Sequence, residues 1–146
     1  MREILFREKD QYNDWIYGYL CQYRGDSIAD NGGDLLDDSD YYIRDWTEKI
    51  DTGFYGCNYK VRTSTIGQFT GLIDKNGRKI FEGDIVAVPL SGKPAKGIVE
   101  YFKTDICGFT VITQPQYSNY VLQKNYAYEV IGNIHDNPEL LEAKDA

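Results

Sequence analysis

The sequence predicts a mainly β protein, a β-rich α+β chain of antiparallel strands closed by a short C-terminal helix. Three observations carry that expectation. Short runs rich in β-branched and aromatic residues recur along the chain, each bounded by Gly, Pro, Ser or Asn. Asn76-Gly77 lies between two apolar runs, and this dipeptide is a strong short-range hairpin signal. A helix start is written at Asn137-Pro138-Glu139, and the run "PELLEA" that it opens reads as a short helix.

The first strands come from "EILFREKDQYNDWIYGYLCQY", where two apolar-rich runs, Ile4–Phe6 and Trp15–Tyr23, flank the polar connector "KDQYND". Trp15, Tyr17 and Tyr19 alternate with Ile16, Gly18 and Leu20, as in a strand with two distinct faces. The next stretch, "RGDSIADNGGDLLDDSD", is turn-rich and acidic and reads as a long loop. Its aspartates invite a calcium reading. With Gly32 at the glycine position of an EF-hand loop, however, Ala29 falls on a ligand position and Asp38 replaces the bidentate glutamate. "YYIRDWTEKI" fits either a helix, through Tyr42, Ile43, Trp46 and Ile50, or a strand. A strand around Tyr59–Val61 and a Thr/Ser-rich turn then lead to Gly67.

In "GQFTGLIDKNGRKIFEGDIV", a two-residue Asn76-Gly77 turn of type I′ sets Lys75 against Arg78, Asp74 against Lys79, Ile73 against Ile80 and Leu72 against Phe81. Neither a dinucleotide-binding nor a Walker-type glycine spacing runs through this segment. Beyond it, "EGDIVAV", "GKPAKGIVEYF", "GFTVITQ" and "NYVLQ" suggest an antiparallel meander curling toward a small barrel or sandwich. The "GDIV…GIVEY" pairing resembles that of SH3-like barrels, a likeness of fold alone. A last strand holds Val130, Ile131 and Ile134, interrupted by Gly132, before Asn137 caps the terminal helix.

A length of 146 residues suits a single domain over 1–146. The sequence has no run of about 18 apolar residues, the signature of a spanning helix, and the reading includes no membrane partner. The N-terminal "MREILFREKD" lacks the apolar region of a secretory signal, which points to the cytoplasm. Cys21, Cys57 and Cys107 are widely spaced and are expected to be buried or half-buried thiols; no disulfide or metal site is read from them, and no cofactor is implied. His135 sits beside Asp136 in a turn-like segment.

The formal charge is −7. Between Arg24 and Tyr55, nine acids face three bases, so this segment alone carries −6. That balance disfavours sequence-independent nucleic-acid binding. The cations that could still support such binding are Lys75, Arg78, Lys79, Lys93, Lys96 and Lys103, interleaved with Phe81, Tyr101 and Phe102. For an enzyme, carboxylates such as Asp84 and Asp105 would have to converge in space, and no catalytic residues are assigned. Thirteen tyrosines and two tryptophans favour a non-enzymatic interaction module, because Tyr is stiff and amphipathic.

Three segments in order, "REILFR…WIYGYL", "STIGQFTGLIDKNGRKIFEGDIV" and "YEVIGNIHDNPELLE", resemble the YopX family of bacteriophage and prophage proteins. The resemblance spans nearly the whole chain except the acidic stretch 24–58, which it leaves as a variable loop or insertion. It implies a β-rich cytoplasmic accessory protein of a phage-carrying bacterium, with a homo-oligomer or a host or phage protein as partner. It carries no catalytic or binding residue.

Overall fold

The computed structural model describes residues 2–10, 12–22, 41–49, 55–60, 63–90, 95–101, 107–114 and 118–142. The chain forms two compact units, Met1–Gln68 and Phe69–Ala146. Both are built from antiparallel strands, as the runs of β-branched and aromatic residues predict.

In the first unit, β1 (Phe6–Lys9) and β2 (Trp15–Gln22) pair as a hairpin, with Phe6 opposite Gly18 and Lys9 opposite Trp15; the first strand lies later than the apolar run Ile4–Phe6 and takes in Lys9 of the expected connector. The segment left open between helix and strand is β3 (Tyr41–Lys49), which pairs with β2 on one side and with β4 (Tyr55–Lys60) on the other. Its aromatic and β-branched composition is one that strands favour. Ile43 is fully buried in β3. On the far side of β1, the first residues of β5 (Gly67–Ile73) complete the order β4-β3-β2-β1-β5. Residues 24–40 of the acidic stretch, with the EF-hand spacing around Gly32, lie outside the described residues, while 41–49 and 55–58 are strand.

The β1–β2 connector is a tight turn held by one side chain. Asp10 exchanges backbone hydrogen bonds with Asp14 and Asn13, and its Oδ1 accepts from the amides of Tyr12 and Asp14, each at 2.9 Å. Asn13 takes the left-handed backbone that closes such a turn, at φ 70°.

The second unit repeats this device. β5 continues into a hairpin with β6 (Lys79–Phe81), so the predicted hairpin forms, but its turn and register differ from the type I′ expectation. Ile73 stands opposite Lys79 and Phe69 opposite Phe81, with an irregularity between the two pairs. Gly77 donates to the Asp74 carbonyl at 3.1 Å and is left-handed at φ 83°, whereas Asn76 is not among the positive-φ residues. This is a three-residue loop ending in a glycine bulge. The Asp74 side chain selects it, because its Oδ1 accepts from the amides of both Asn76 and Arg78 at 2.8 Å. The expected Asp74–Lys79 pair is replaced, and the Lys79 ammonium lies 5.2 Å from the centre of the Phe69 ring.

After the hairpin, β7 (Asp84–Val88), β8 (Ala95–Tyr101), β9 (Phe109–Gln114) and β10 (Asn119–Val121) form the predicted meander, and β11 (Glu129–Asn133) returns beside β7. The order is β10-β9-β8-β7-β11. The "GDIV…GIVEY" pairing is present, with Ile85 opposite Ile98 and Val86 opposite Gly97. One face of this sheet carries the core, Val86, Val88, Val99, Val111 and Val130 with Ile80 and Tyr128. Gly97 is required within it. A Cβ there would lie 2.6 Å from Val111 Cγ1 and 2.8 Å from the Ile112 carbonyl oxygen.

The chain end differs in detail from the expected helix. It is a single 3-10 turn, Pro138–Leu141, and the Asn137 side chain does not cap it. Instead Asn137 Oδ1 accepts from the Asn133 amide at 3.2 Å, which folds the turn back onto β11. Gly132 permits that approach, since a Cβ there would meet Asn137 Oδ1 at 2.7 Å and Leu140 Cδ1 at 2.8 Å.

Candidate functional site

The sheet of the second unit ends in two different ways. At the β11 end, the hairpin turn closes the border. Asp74 Oδ2 accepts from the Val130 amide at 3.0 Å, Arg78 Nη1 donates to the Val130 carbonyl at 3.5 Å, and the Lys75 amide donates to the Tyr128 carbonyl at 2.9 Å. Burial alone would push the Asp74 carboxyl up. The bonds from the Val130, Arg78 and Asn76 amides and the nearby Arg78 charge outweigh it and hold the group below the usual aspartate range. An edge carrying a charged, fully bonded clamp of this kind is not open to another strand.

At the other end, β10 pairs with β9, and among the described residues no further strand lies beyond it. The amide of Thr113 donates to the Ser118 carbonyl and that of Leu122 to the Phe109 carbonyl, so residues 118, 120 and 122 point their backbone groups toward β9. By the alternation of an antiparallel ladder, Asn119 and Val121 turn theirs outward. All three β10 residues are exposed, Tyr120 at 41% and Val121 at 47%. From Ser118 to Leu122 there is no charged side chain, proline or bulge to deter pairing.

The first unit presents a second surface of note. Tyr17 and Tyr19, on one face of β2, are 45% and 54% exposed, and Trp15 on the same face lies beneath two cations. Arg7 Cζ is 4.6 Å and Lys9 Nζ 5.0 Å from the Trp15 ring centre. Between these two cations on β1, Glu8 belongs to the opposite face and is fully buried. Neither of its oxygens has a hydrogen-bond partner, and burial pushes its carboxyl up to about 8.

Three of the described cations of the nucleic-acid set are drawn into local contacts. Lys75 forms an ion pair with Glu129 at 2.9 Å, Arg78 reaches the Val130 carbonyl, and Lys79 lies over Phe69. Phe81 is buried against Phe69, with ring centres 5.6 Å apart, and Tyr101 packs edge-on against Phe109 at 5.0 Å. Lys96 is half-buried on β8; Lys93, Phe102 and Lys103 lie outside the described residues. Of the carboxylates weighed for catalysis, Asp84 is buried and its Oδ2 accepts from the Phe81 amide at 2.8 Å, closing the β6–β7 turn. Asp105 lies outside the described residues. Cys21 is half-buried, as expected of the thiols, but Cys107 is exposed, with Sγ 3.9 Å from the Tyr101 hydroxyl. Among the described residues, no helix is long and apolar enough to cross a membrane.

Two antiparallel, strand-dominated units joined through β5 define the structural class, a mainly β protein with a five-stranded meander sheet in its second half. The chain belongs to the YopX family: the model of that family, described as "YopX protein", matches residues 5–142. The structure is similar to a crystal structure of protein EF1440 from Enterococcus faecalis, with a TM-score of 0.51, 23% identity, and coverage of 97% of this chain and 100% of that one. That likeness concerns the fold. No curated protein matches the sequence significantly.

Proposed function

We propose that the protein is a non-enzymatic interaction module, encoded by a phage or prophage and acting in the bacterial cytoplasm, which binds further copies of itself or another protein through the edge of β10. The observation that carries this reading is the contrast between the two ends of the second sheet. One is closed by Asp74 and Arg78, and the other presents the outward backbone groups of Asn119 and Val121 on an uncharged strand. Strand addition at such an edge draws affinity from main-chain hydrogen bonds and specificity from alternate side chains. The strand also suits its own copy. In an antiparallel pairing about a two-fold axis, Asn119 meets the partner's Val121 and Tyr120 meets its own counterpart, an aromatic cross-strand pair. The meander β7–β10 is the portion we read as a small SH3-like barrel.

Val121→Lys tests the reading, because it places a charge on an exposed position of the edge without entering the core. Concentration-dependent association, or capture of a partner that the variant loses, supports it. A monomeric wild-type protein whose captured proteins are the same for both forms contradicts it.

Nucleic-acid binding is the second reading, favoured by the exposed Tyr17 and Tyr19 beside the Arg7–Trp15–Lys9 stack. The net charge of −7 opposes it. A gel shift with single-stranded and duplex DNA at about 50 mM salt decides, and absence of a shift there ends this reading.

A further inference from the structure

The second unit contains a cavity of about 470 Å³ between the hairpin turn and the loop that precedes β11. Its volume falls in the range of small-molecule sites. One wall is the end of β5 and the start of the hairpin turn, with Leu72, Ile73 and Lys75; the other is the loop bearing Lys124, Asn125 and Tyr126. Both walls are fixed before anything binds. The Lys75 amide is tied to the Tyr128 carbonyl, and Asp74 holds both its own turn and the Val130 amide. The loop is in turn pinned by the Gln123 amide, which donates to the Tyr128 hydroxyl at 3.2 Å, and by the Tyr128 amide, which donates to the Tyr126 carbonyl at 2.7 Å. Asn125 completes it in the left-handed region, at φ 63°.

The lining combines an apolar surface with a few charged groups. Leu72, Ile73 and the Tyr126 ring are apolar, and Ile73 is 61% exposed, a large apolar side chain left open beside the cavity. The charged groups are Asp74, Lys75 and Lys124. Asp74 is committed to the turn and to β11 through three backbone amides, which leaves Lys75 and Lys124 as the groups of the lining that can meet an anion. Lys75 is held by Glu129 at 2.9 Å, an exposed pair that an incoming anion can share. Lys124 is exposed and makes no ion pair among the described residues.

We propose that this cavity binds a carboxylate carried on an apolar body, with the carboxylate on Lys124 and Lys75 and the body against Leu72, Ile73 and Tyr126. A phosphate is best held by an arginine fork, and no arginine is among the residues that line this mostly apolar cavity. The carboxylate can come from a free aliphatic or aromatic acid, or from the C-terminal residue of a peptide.

The test is an amide-shift titration of the isotope-labelled full chain with hexanoate, 3-phenylpropionate, hexanamide, and acetyl-Gly-Gly-Leu with a free or an amidated C-terminus. Saturable shifts confined to the amides of residues 71–75 and 124–127, produced by the acids but not by hexanamide, are expected. Lys124→Gln weakens binding about tenfold or more, as loss of a charge-assisted contact requires, and Lys124→Arg largely restores it. Binding of the free-acid peptide alone assigns the site to chain termini, and binding of the small acids alone to metabolite-sized ligands. Absence of saturable shifts with every carboxylate up to about 10 mM, equal binding of hexanamide, or unchanged affinity in Lys124→Gln overturns the proposal.

Discussion

Removing the Asp74 carboxylate in Asp74→Ala separates the account of the second unit from one in which the hairpin is held by strand pairing alone. The substitution strands three backbone donors, on Asn76, Arg78 and Val130. A buried donor without an acceptor costs about 1–3 kcal/mol. Asn76 and Arg78 lie at an exposed turn where water can replace the lost oxygen, so they count at the low end, while the Val130 bond is buried and counts more fully. The expected loss is about 3–5 kcal/mol in the second unit. Both tryptophans, Trp15 and Trp46, fall in the first unit, so fluorescence does not report this change. Far-UV dichroism in urea, with hydrogen exchange at the Val99 and Val111 amides, does.

Acid supplies an independent check on the same group. The folded Asp74 carboxyl lies below its unfolded value of about 3.9. Its contribution is therefore fully present above that value and is lost as pH falls through the folded one. Asp74→Ala removes this acid-dependent share. Asp10→Ala, which strands only the Tyr12 and Asp14 amides at an exposed turn, costs less, about 1–2 kcal/mol. A loss below about 1 kcal/mol in Asp74→Ala, or an unchanged acid profile, refutes the reasoning.

Two further predictions concern single core positions. Gly97→Ala drives a methyl into Val111 Cγ1 and the Ile112 carbonyl oxygen, and because the latter is backbone the site has little room to yield. The expected cost is about 2–3 kcal/mol, read as a lower urea midpoint by dichroism; a wild-type midpoint contradicts the packing described. Glu8 rises from 4.5 to about 8 in the folded chain, so between those values the unfolded state binds fewer protons than the folded one. Stability of the first unit then falls as pH rises, by up to about 1.4 kcal/mol per pH unit, and levels off above pH 8. Glu8→Gln flattens that slope, measured by tryptophan fluorescence in urea from pH 5 to 9, and an unchanged slope counts against the buried carboxyl.

Much of the fold was legible because each strand carries its own local signature. The alternation of Trp15, Tyr17 and Tyr19 with Ile16, Gly18 and Leu20 defined β2, and the meander followed from short runs between turn residues. The hairpin was foreseen, but its register was not. Asn76-Gly77 signals a turn, whereas Asp74 decides its type, and a side chain that can accept two local amides outweighs the dipeptide preference. A signal for this did exist, since "DQYND" and "DKNGR" share an aspartate followed three residues later by Asn or Gly, the residues most tolerant of a left-handed backbone. The edge position of β10 was not legible, because which strand ends a sheet is set by tertiary pairing rather than by the strand's own residues. The cavity was hidden for the same reason, its walls lying about fifty residues apart in sequence.

Sedimentation of the wild-type chain beside Val121→Lys, over a range of concentrations, tests the role of the β10 edge most directly. Reversible association of the wild type, lost in the variant while its dichroism spectrum stays unchanged, is the predicted outcome for self-pairing. If the wild type sediments as a monomer, the same pair of proteins used as bait must differ in one captured partner. Association that Val121→Lys leaves intact, or a monomer whose captured proteins the variant also retains, contradicts the account.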